Sequence, residues 1–325
     1  MVKELLFQVL ILLGSLVILD KASDITTRNS IRVARITGFT NTTVGFLLVA
    51  FATSLPELLI ALFAAFMPDT IGVAIGNVLG SNIVNICLIL GICFLWMGVR
   101  DPGKLESYLS GAKKETGSLY LGIFIASVIP LVLLSIGQVS RIVGAVLIFI
   151  FAYYLYRLSR VRGPREETGK GSEAKGPGKY ILLSLLGAMG IVASSYFLVD
   201  SASSLAITLG IPRVVIGATV VAFGTSIPEL ATSLSATRKG YLDLALGNII
   251  GSCFINITLI LGVALILSPF QVNIAAFANL VFFTVLTNLF FWYFLSSERF
   301  SWREGLILLG IYVTFLVASF SGYGL

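Results

Sequence analysis

Long apolar stretches separated by short polar segments run through the whole chain. A helix needs about 20 apolar residues to cross the hydrocarbon core of a bilayer, and most of these stretches approach or exceed that length. The pattern predicts an all-α integral membrane protein with ten transmembrane helices. The predicted spans are 4–20, 43–67, 70–98, 117–137, 140–157, 180–199, 214–237, 241–268, 270–296 and 305–322.

A polar stretch rich in Gly, Lys, Arg and Glu lies between the fifth and the sixth predicted span. It divides the chain into a first five-helix repeat at 1–158, a cytoplasmic linker at 159–179 and a second five-helix repeat at 180–325. Because each half has an odd number of spans, the second half must enter the membrane from the opposite side. The pattern therefore predicts two inverted repeats, which is typical of secondary transporters, although a channel can be duplicated in the same way.

The charged residues are few, and their distribution agrees with this topology. Only 12% of the residues are charged, against roughly 25% in a soluble domain. With the N-terminus outside, 19 of the 22 Lys and Arg residues lie on the inner side, as the positive-inside rule requires. The net charge of +6 thus reflects topology and does not indicate binding to nucleic acid. We predict a multi-pass protein of the cell membrane, in contact with the lipid bilayer, with both termini outside and no obligate protein partner.

Two copies of one polar motif interrupt the apolar sequence. Residues 53–57 are Thr-Ser-Leu-Pro-Glu, and residues 225–229 are Thr-Ser-Ile-Pro-Glu. Glu57 and Glu229 are the only acidic residues deep in apolar sequence, where a carboxylate costs at least about 2.5 kcal/mol unless it meets a partner, a cavity or an ion. Each proline should bend its helix and free backbone carbonyl oxygens beside the carboxylate. Helical spacing places two sets of residues on one face each: Ala50, Thr53, Ser54 and Glu57, and Ala222, Thr225, Ser226 and Glu229.

A second polar motif follows each copy. Residues 76–81 are Gly-Asn-Val-Leu-Gly-Ser, and residues 247–252 are Gly-Asn-Ile-Ile-Gly-Ser, with an asparagine four residues after each serine. The glycines four residues apart favour close helix packing. The four helices are predicted to converge on an oxygen-lined pocket that carries a charge of about −2 when both glutamates are ionised, and Ca2+ and Na+ prefer such oxygen ligands. One Ca2+ or two Na+ would neutralise it, so competition between the ions gives a physical basis for exchange.

The remaining composition excludes several other classes of protein. The chain has no histidine, and its three cysteines all lie in apolar sequence. Neither a disulfide, a zinc site nor a histidine proton relay is therefore expected. The sequence contains no nucleotide-binding motif and no soluble catalytic module. We predict that the protein is not an enzyme and needs no cofactor.

The doubled motif, with Gly-Thr-Ser-Ile-Pro-Glu at 224–229 and Gly-Asn-x-x-Gly-Ser at 247–252, resembles the alpha repeats of the calcium/cation antiporter superfamily. Its nearest resemblance is to prokaryotic Na+/Ca2+ exchangers, and it extends over nearly the whole chain. It implies antiport of Na+ against Ca2+ by alternating access, in which the first and sixth helices slide. It also implies that both ions share ligands at twelve positions: Glu57, Glu229, Thr53, Thr225, Ser54, Ser226, Ala50, Ala222, Ser81, Ser252, Asn85 and Asn256.

The sequence departs from the family pattern at two positions, of which the second bears on the counter-ion. Ala52 stands where glycine is usual, and Asn256 stands where K+-dependent exchangers and some prokaryotic relatives have Asp. The missing carboxylate argues against K+ co-transport and against proton-linked exchange through such an Asp, although the two glutamates can still bind protons. An H+/Ca2+ antiporter is the alternative function, and a passive cation channel is a more remote one.

The polar residues also have a structural alternative. Buried hydroxyls commonly bond the carbonyls of their own helix, and asparagines can join neighbouring helices. This alternative applies to the predicted Thr, Ser and Asn ligands. For Asn77 and Asn248 we expect capping or bending of a helix, with a place in the site as the alternative.

Overall fold

The fold is helical throughout the part of the chain that the computed structural model describes, apart from one short ladder. The described residues are 2–66, 71–100, 116–136, 138–158, 160, 177–208, 222–268, 270–271, 274–297 and 301–321. The helices of the first half are α1 (Val2–Thr37), α2 (Asn41–Thr53), α3 (Leu55–Phe66), α4 (71–100), α5 (Thr116–Ile136) and α6 (Arg141–Leu158). Those of the second half are α7 (Gly178–Thr208), α8 (Ala222–Thr225), α9 (Ile227–Arg238), α10 (Leu242–Leu267), α11 (Ile274–Ser297) and α12 (Trp302–Ser321).

The ladder joins the two halves. Strand β1 (Gln138–Val139) pairs antiparallel with β2 (Phe270–Gln271), so that Gln138 lies opposite Gln271 and Val139 lies opposite Phe270. Each strand lies at the connection between two helices, from α5 to α6 and from α10 to α11. The all-α prediction is confirmed.

Several described helices meet the length and hydropathy expected of a membrane span. Four do so individually: Gly76–Arg100, Arg141–Leu158, Leu242–Leu267 and Trp302–Ser319. A fifth span results if the bent pair Asn41–Thr53 and Leu55–Leu62 is counted as one. The predicted linker at 159–179 and the first part of the predicted span at 214–237 lie largely outside the described residues.

The helices break at the two serines of the repeated motif. The axis bends by 44° between α2 and α3, at Ser54, whose φ of −83° and ψ of 9° depart from α-helical values. Ser226, with φ −92° and ψ 2°, separates α8 from α9 in the same way. Pro56 and Pro228 are each the second residue of the following helix, where a missing N–H costs nothing. The predicted bend is confirmed, and each proline helps to start the new helix.

In the described part of the chain, three π-helical segments widen the helices near the predicted ligands. They are Gly45–Ala50 in α2, Val84–Leu90 in α4 and Asn256–Ile260 in α10. The first ends at Ala50, the second contains Asn85 and the third begins at Asn256. Such segments are rare and concentrate at functional sites, because they change the direction of the side chains on the following turn.

The contact between α2 and α10 depends on glycine. A Cβ on Gly251 would lie only 2.8 Å from the Cβ of Ala50, and Gly45 and Gly247 are crowded by the backbone of the facing helix. A Cβ on Gly76 or Gly80 in α4 would have no atom of the described residues within 4 Å. Close packing is thus observed for the second glycine pair. The counterpart of α2 in the second half precedes Ala222 and lies outside the described residues.

Helices α1 and α7 pack closely along their length. The hydroxyls of Ser30 and Ser184 are 2.8 Å apart, and the Thr26 hydroxyl donates to the Ser184 carbonyl at 3.4 Å. Gly187 lies against Thr26 with no room for a side chain. These contacts join α1 and α7 into one unit.

A polar contact links α1 to α9. The Lys239 ammonium lies 2.6 Å from Asp24 Oδ1, and the Ser235 hydroxyl donates to the same oxygen at 2.9 Å. The Lys239 hydrogen bond lowers the pKa of Asp24 from its ordinary value, although burial acts in the opposite direction. Asp24 lies beyond the predicted first span, and it is ionised and paired at neutral pH.

Candidate cation-binding site

Two buried glutamates lie at the centre of the molecule. Glu57 and Glu229 are each 1% exposed, and each occupies the first turn of its helix, α3 or α9. The positive end of the helix dipole favours the ionised form of a carboxyl there. The Ser54 hydroxyl of the first motif lies 3.3 Å from Glu229 Oε1 of the second. The structure therefore brings the two copies of the motif together.

Hydroxyl groups from both halves surround Glu229. The hydroxyls of Ser54 and Ser252 donate to Glu229 Oε1 at 3.3 and 3.2 Å, and they lie 3.1 Å from each other. The Thr53 hydroxyl also faces this carboxyl. One carboxylate thus draws its partners from α2, from the break after it and from α10.

Each motif bonds the asparagine of the other half. The Thr53 hydroxyl lies 3.4 Å from Asn248 Oδ1, and the Thr225 hydroxyl lies 3.2 Å from Asn77 Oδ1. The Thr53 hydroxyl is also 3.1 Å from the Val49 carbonyl, so the structural alternative for the hydroxyls is met at this residue. Asn77 and Asn248 belong to the polar cluster as connectors between the halves.

Asn77 and Asn248 differ in the hydrogen-bond partners of their side-chain nitrogens. Asn248 Nδ2 donates to the hydroxyls of Thr232 and Ser233, both at 2.9 Å. Asn77 Nδ2 is buried and has no hydrogen-bond partner. The residues of the first half that correspond to Thr232 and Ser233 are Ile60 and Ala61. The sequence analysis did not single out Thr232 and Ser233, although their spacing of three and four residues after Glu229 places them on its helical face.

Most of the unpartnered buried polar atoms in the described part of the chain belong to predicted ligands. Nine buried side-chain nitrogen and oxygen atoms of the described residues have no hydrogen-bond partner. Three are Thr27 Oγ1, Asn77 Nδ2 and Asn288 Nδ2, and the other six belong to predicted ligands. Those six are Glu57 Oε2, Ser81 Oγ, Asn85 Oδ1, Ser226 Oγ, Glu229 Oε2 and Asn256 Oδ1.

This concentration has a chemical meaning. Each unpaired buried polar atom costs about 1–3 kcal/mol, so native proteins keep few of them. All six of these atoms are oxygens that can accept, and a cation satisfies several oxygens at once. The described residues contain no cluster of three or more His, Cys, Asp or Glu side chains, so the donor set is two carboxylates with neutral oxygens. Such a set suits Na+ and Ca2+ better than a transition metal.

The alanines of the predicted ligand set contribute differently. The Ala50 carbonyl accepts from the backbone N–H of Ser54 at 3.0 Å and lies 3.3 Å from the Thr53 hydroxyl. It therefore already has hydrogen-bond donors. Ala222 is the first residue of α8, and its side chain is not among those described.

Asn82 is a polar neighbour that the sequence analysis missed. It is 1% exposed, its Nδ2 lies 3.4 Å from the Cys253 carbonyl, and its Oδ1 accepts from Asn256 Nδ2 at 3.2 Å. The signal available in the sequence was a break in the repeat, because Asn82 directly follows Ser81 whereas Cys253 follows Ser252.

Comparison with known proteins gives consistent matches over most of the chain. The family described as sodium/calcium exchanger protein matches residues 7–160 and 179–321. The sodium/calcium exchanger MaX1 of Methanosarcina acetivorans is 34% identical, with 96% of this chain and 98% of that protein covered. The inner membrane protein YrbG of Escherichia coli is 32% identical, with 85% and 84% covered.

Solved structures show the same similarity. The sodium-calcium exchanger NCX_Mj, soaked with 10 mM Na+ and no Ca2+, superimposes with a TM-score of 0.81 at 26% identity. The match covers 96% of this chain and 99% of the other. The same exchanger soaked without either ion gives a TM-score of 0.80, also at 26% identity, with 97% and 99% covered.

Proposed function

Since this chain belongs to the sodium/calcium exchanger protein family, we propose that it is a secondary active antiporter that exchanges Na+ for Ca2+ across the cell membrane. The observation that carries the proposal is the set of six unpartnered buried oxygens on predicted ligands, which includes one oxygen each of Glu57 and Glu229. Two ionised glutamates give the cluster a charge of about −2, which one Ca2+ or two Na+ neutralise. The two ions would then compete for the same oxygens.

The hydroxyls around Glu229 allow the site to change its occupant. A serine hydroxyl donates one hydrogen and keeps lone pairs, so it can rotate from a carboxylate towards a cation. Ser54 and Ser252 would stabilise Glu229 between two ions and turn their oxygens to an ion when it arrives. Thr225 faces Glu57 from the other half and can act in the same way.

The architecture that we propose for this antiporter is ten spans in two inverted five-helix repeats, with both termini outside. The exchanged bonds of Thr53 with Asn248 and of Thr225 with Asn77 support it, because they relate the halves reciprocally. The distribution of Lys and Arg supports the orientation. Sites of such transporters lie where broken helices of the two repeats meet.

The first experiment is uptake of radioactive Ca2+ into proteoliposomes with an outward Na+ gradient, compared with a matched outward proton gradient. Glu57→Gln and Glu229→Gln each remove one charge and keep the shape of the side chain. We expect Na+-driven uptake by the unmodified protein and a loss of more than about 100-fold in each variant, beyond the effect usual for outer-shell residues. Glu304→Gln is the matched control, since Glu304 accepts from the Ser301 N–H at the start of α12, and glutamine keeps an acceptor oxygen.

Other outcomes would contradict parts of the proposal. Uptake driven only by protons would identify an H+/Ca2+ antiporter. Uptake that needs neither gradient and survives both substitutions would indicate a channel. Equal losses in Glu304→Gln would mean that the two glutamates are not special.

A further inference from the structure

Asn82 contacts the predicted ligand Asn256 but is not one of the twelve predicted ligands. It directly follows Ser81 on α4, so its side chain points about 100° away from that of the serine around the helix axis. It contacts α10 at two residues one helical turn apart, the Cys253 carbonyl and the Asn256 amide. All three side chains are at most 2% exposed, so water does not compete for these bonds.

The bond to Asn256 decides which atom of that amide faces the site. Asn256 Nδ2 donates to Asn82 Oδ1 at 3.2 Å, while Asn256 Oδ1 is buried and without a hydrogen-bond partner. An amide has a donor end and an acceptor end, and only the oxygen attracts a cation. If Asn82 did not accept from the nitrogen, the amide could rotate and present its NH2 group to the ion.

The second half has no asparagine that orients the Asn85 amide as Asn82 orients the Asn256 amide. The position that corresponds to Asn82 is Cys253, and the Asn85 side chain contacts the Cys253 thiol. A thiol is a weak acceptor and orients an amide poorly. The two asparagines of the predicted ligand set are therefore held differently, although the repeat makes them look equivalent.

We infer that Asn82 is a positioning residue, which fixes the Asn256 amide so that its oxygen is available to the transported cation. The inference rests on the proposed function and adds a residue outside the twelve predicted ligands. Partners that orient a metal ligand typically change affinity by about 10–100-fold when they are removed. We expect the effect of Asn82 in the half-saturating Ca2+ concentration, with a smaller effect on the maximal rate.

The test is a double-mutant cycle of Asn82→Leu and Asn256→Ala, read by Ca2+ titration calorimetry of the purified protein and by Na+-driven uptake. We expect Asn82→Leu to raise the half-saturating Ca2+ concentration by about tenfold. In the Asn256→Ala background the same substitution should have little further effect, because its partner is gone. Asn82→Ala gives the same comparison without added volume if leucine prevents folding.

Asn288→Leu is the matched control, since Asn288 is another asparagine that is 1% exposed, lies on α11 and is not a predicted ligand. It should leave the half-saturating Ca2+ concentration unchanged. Equal effects of Asn82→Leu in both backgrounds, or a change only in the maximal rate, would overturn the positioning role. Absence of Na+-driven uptake in the unmodified protein would instead contradict the proposed function, while the calorimetric cycle would still test the role of Asn82.

Discussion

At the scale of residues, small differences between the two halves decide which buried atoms are paired. Asn248 is held by Thr232 and Ser233, whereas Asn77 has only Ile60 and Ala61 at the corresponding positions. The first half therefore keeps an amide N–H group buried without an acceptor. A missing partner of this kind is a defect that one substitution can repair.

We predict that Ala61→Ser stabilises the protein. Ala61 is fully buried, and a hydroxyl there would accept from Asn77 Nδ2 as the Ser233 hydroxyl accepts from Asn248. The new bond should raise the free energy of unfolding by about 1 kcal/mol. Thermal unfolding of the purified protein in detergent measures it. Ala61→Cys is the control of similar size, because a thiol accepts weakly, and the prediction is wrong if the serine variant is no more stable than the cysteine variant.

Duplication explains which site residues the sequence could reveal. The glutamates, hydroxyls and asparagines of the predicted ligand set stand out because each occurs twice in apolar sequence. Asn82, Thr232 and Ser233 occur in one copy only, so duplication did not mark them. Their importance depends on which helix faces them, and that contact joins residues far apart in the chain.

At the scale of elements, the crossing of α2 and α10 is the tightest glycine contact described above, and it carries a prediction. Gly251→Ala should destabilise the protein by about 1–3 kcal/mol, because the added Cβ would meet Ala50 at 2.8 Å and Phe46 at 2.9 Å. Gly310→Ala on α12 is the control, since Gly310 is exposed and no atom of the described residues lies within 4 Å of its Cβ position.

Gly310→Ala should be neutral or slightly stabilising, because alanine favours a helix over glycine by up to about 1 kcal/mol. Thermal unfolding of both variants is the measurement. Equal destabilisation of the two variants would show that the crowding at Gly251 has no special weight.

The helix breaks were predictable and the π-helical segments were not. A proline removes a backbone hydrogen-bond donor whatever surrounds it, so Pro56 predicts a bend from the sequence alone. No residue type specifies a π-helical turn, which forms where packing forces one extra residue into a helix. The segments at Gly45–Ala50 and Val84–Leu90 therefore needed the three-dimensional arrangement of their neighbours.

At the scale of the whole molecule, hydropathy located membrane-sized segments better than it located helix ends. The first predicted span was 4–20, but α1 continues to Thr37. Hydropathy reports the length in contact with lipid, and a helix can continue beyond it with polar residues. Asp24 and Lys239 pair in that extension, where α1 meets the end of α9.

We predict that α1 and α7 move together when access changes. The native hydroxyls of Ser30 and Ser184 are 2.8 Å apart, so Ser30→Cys/Ser184→Cys can form a disulfide. This disulfide should leave Na+-driven Ca2+ uptake within about twofold of the reduced protein, because it joins α1 to α7, which we predict to move together. A disulfide formed in Asp24→Cys/Ser235→Cys should stop uptake reversibly, because it joins α1 to α9.

Uptake before and after oxidation, and again after reduction, provides the comparison, and the extent of crosslinking is followed by the shift in electrophoretic mobility. Inhibition by the crosslink between α1 and α7, or full activity with the crosslink between α1 and α9, would contradict the joint movement of α1 and α7.

The unequal surroundings of the two glutamates have a consequence for the rest of the transport cycle. The hydroxyls of Ser54 and Ser252 donate to Glu229, while the hydroxyls of their counterparts Ser226 and Ser81 have no hydrogen-bond partner. Inverted repeats that alternate access exchange their conformations, so each half serves as a template for what the other becomes. In the opposite-facing state we expect Ser226 and Ser81 to close on Glu57, and Glu229 to be released. In the antiporter that we propose, the two halves of one chain would thus display both ends of the cycle.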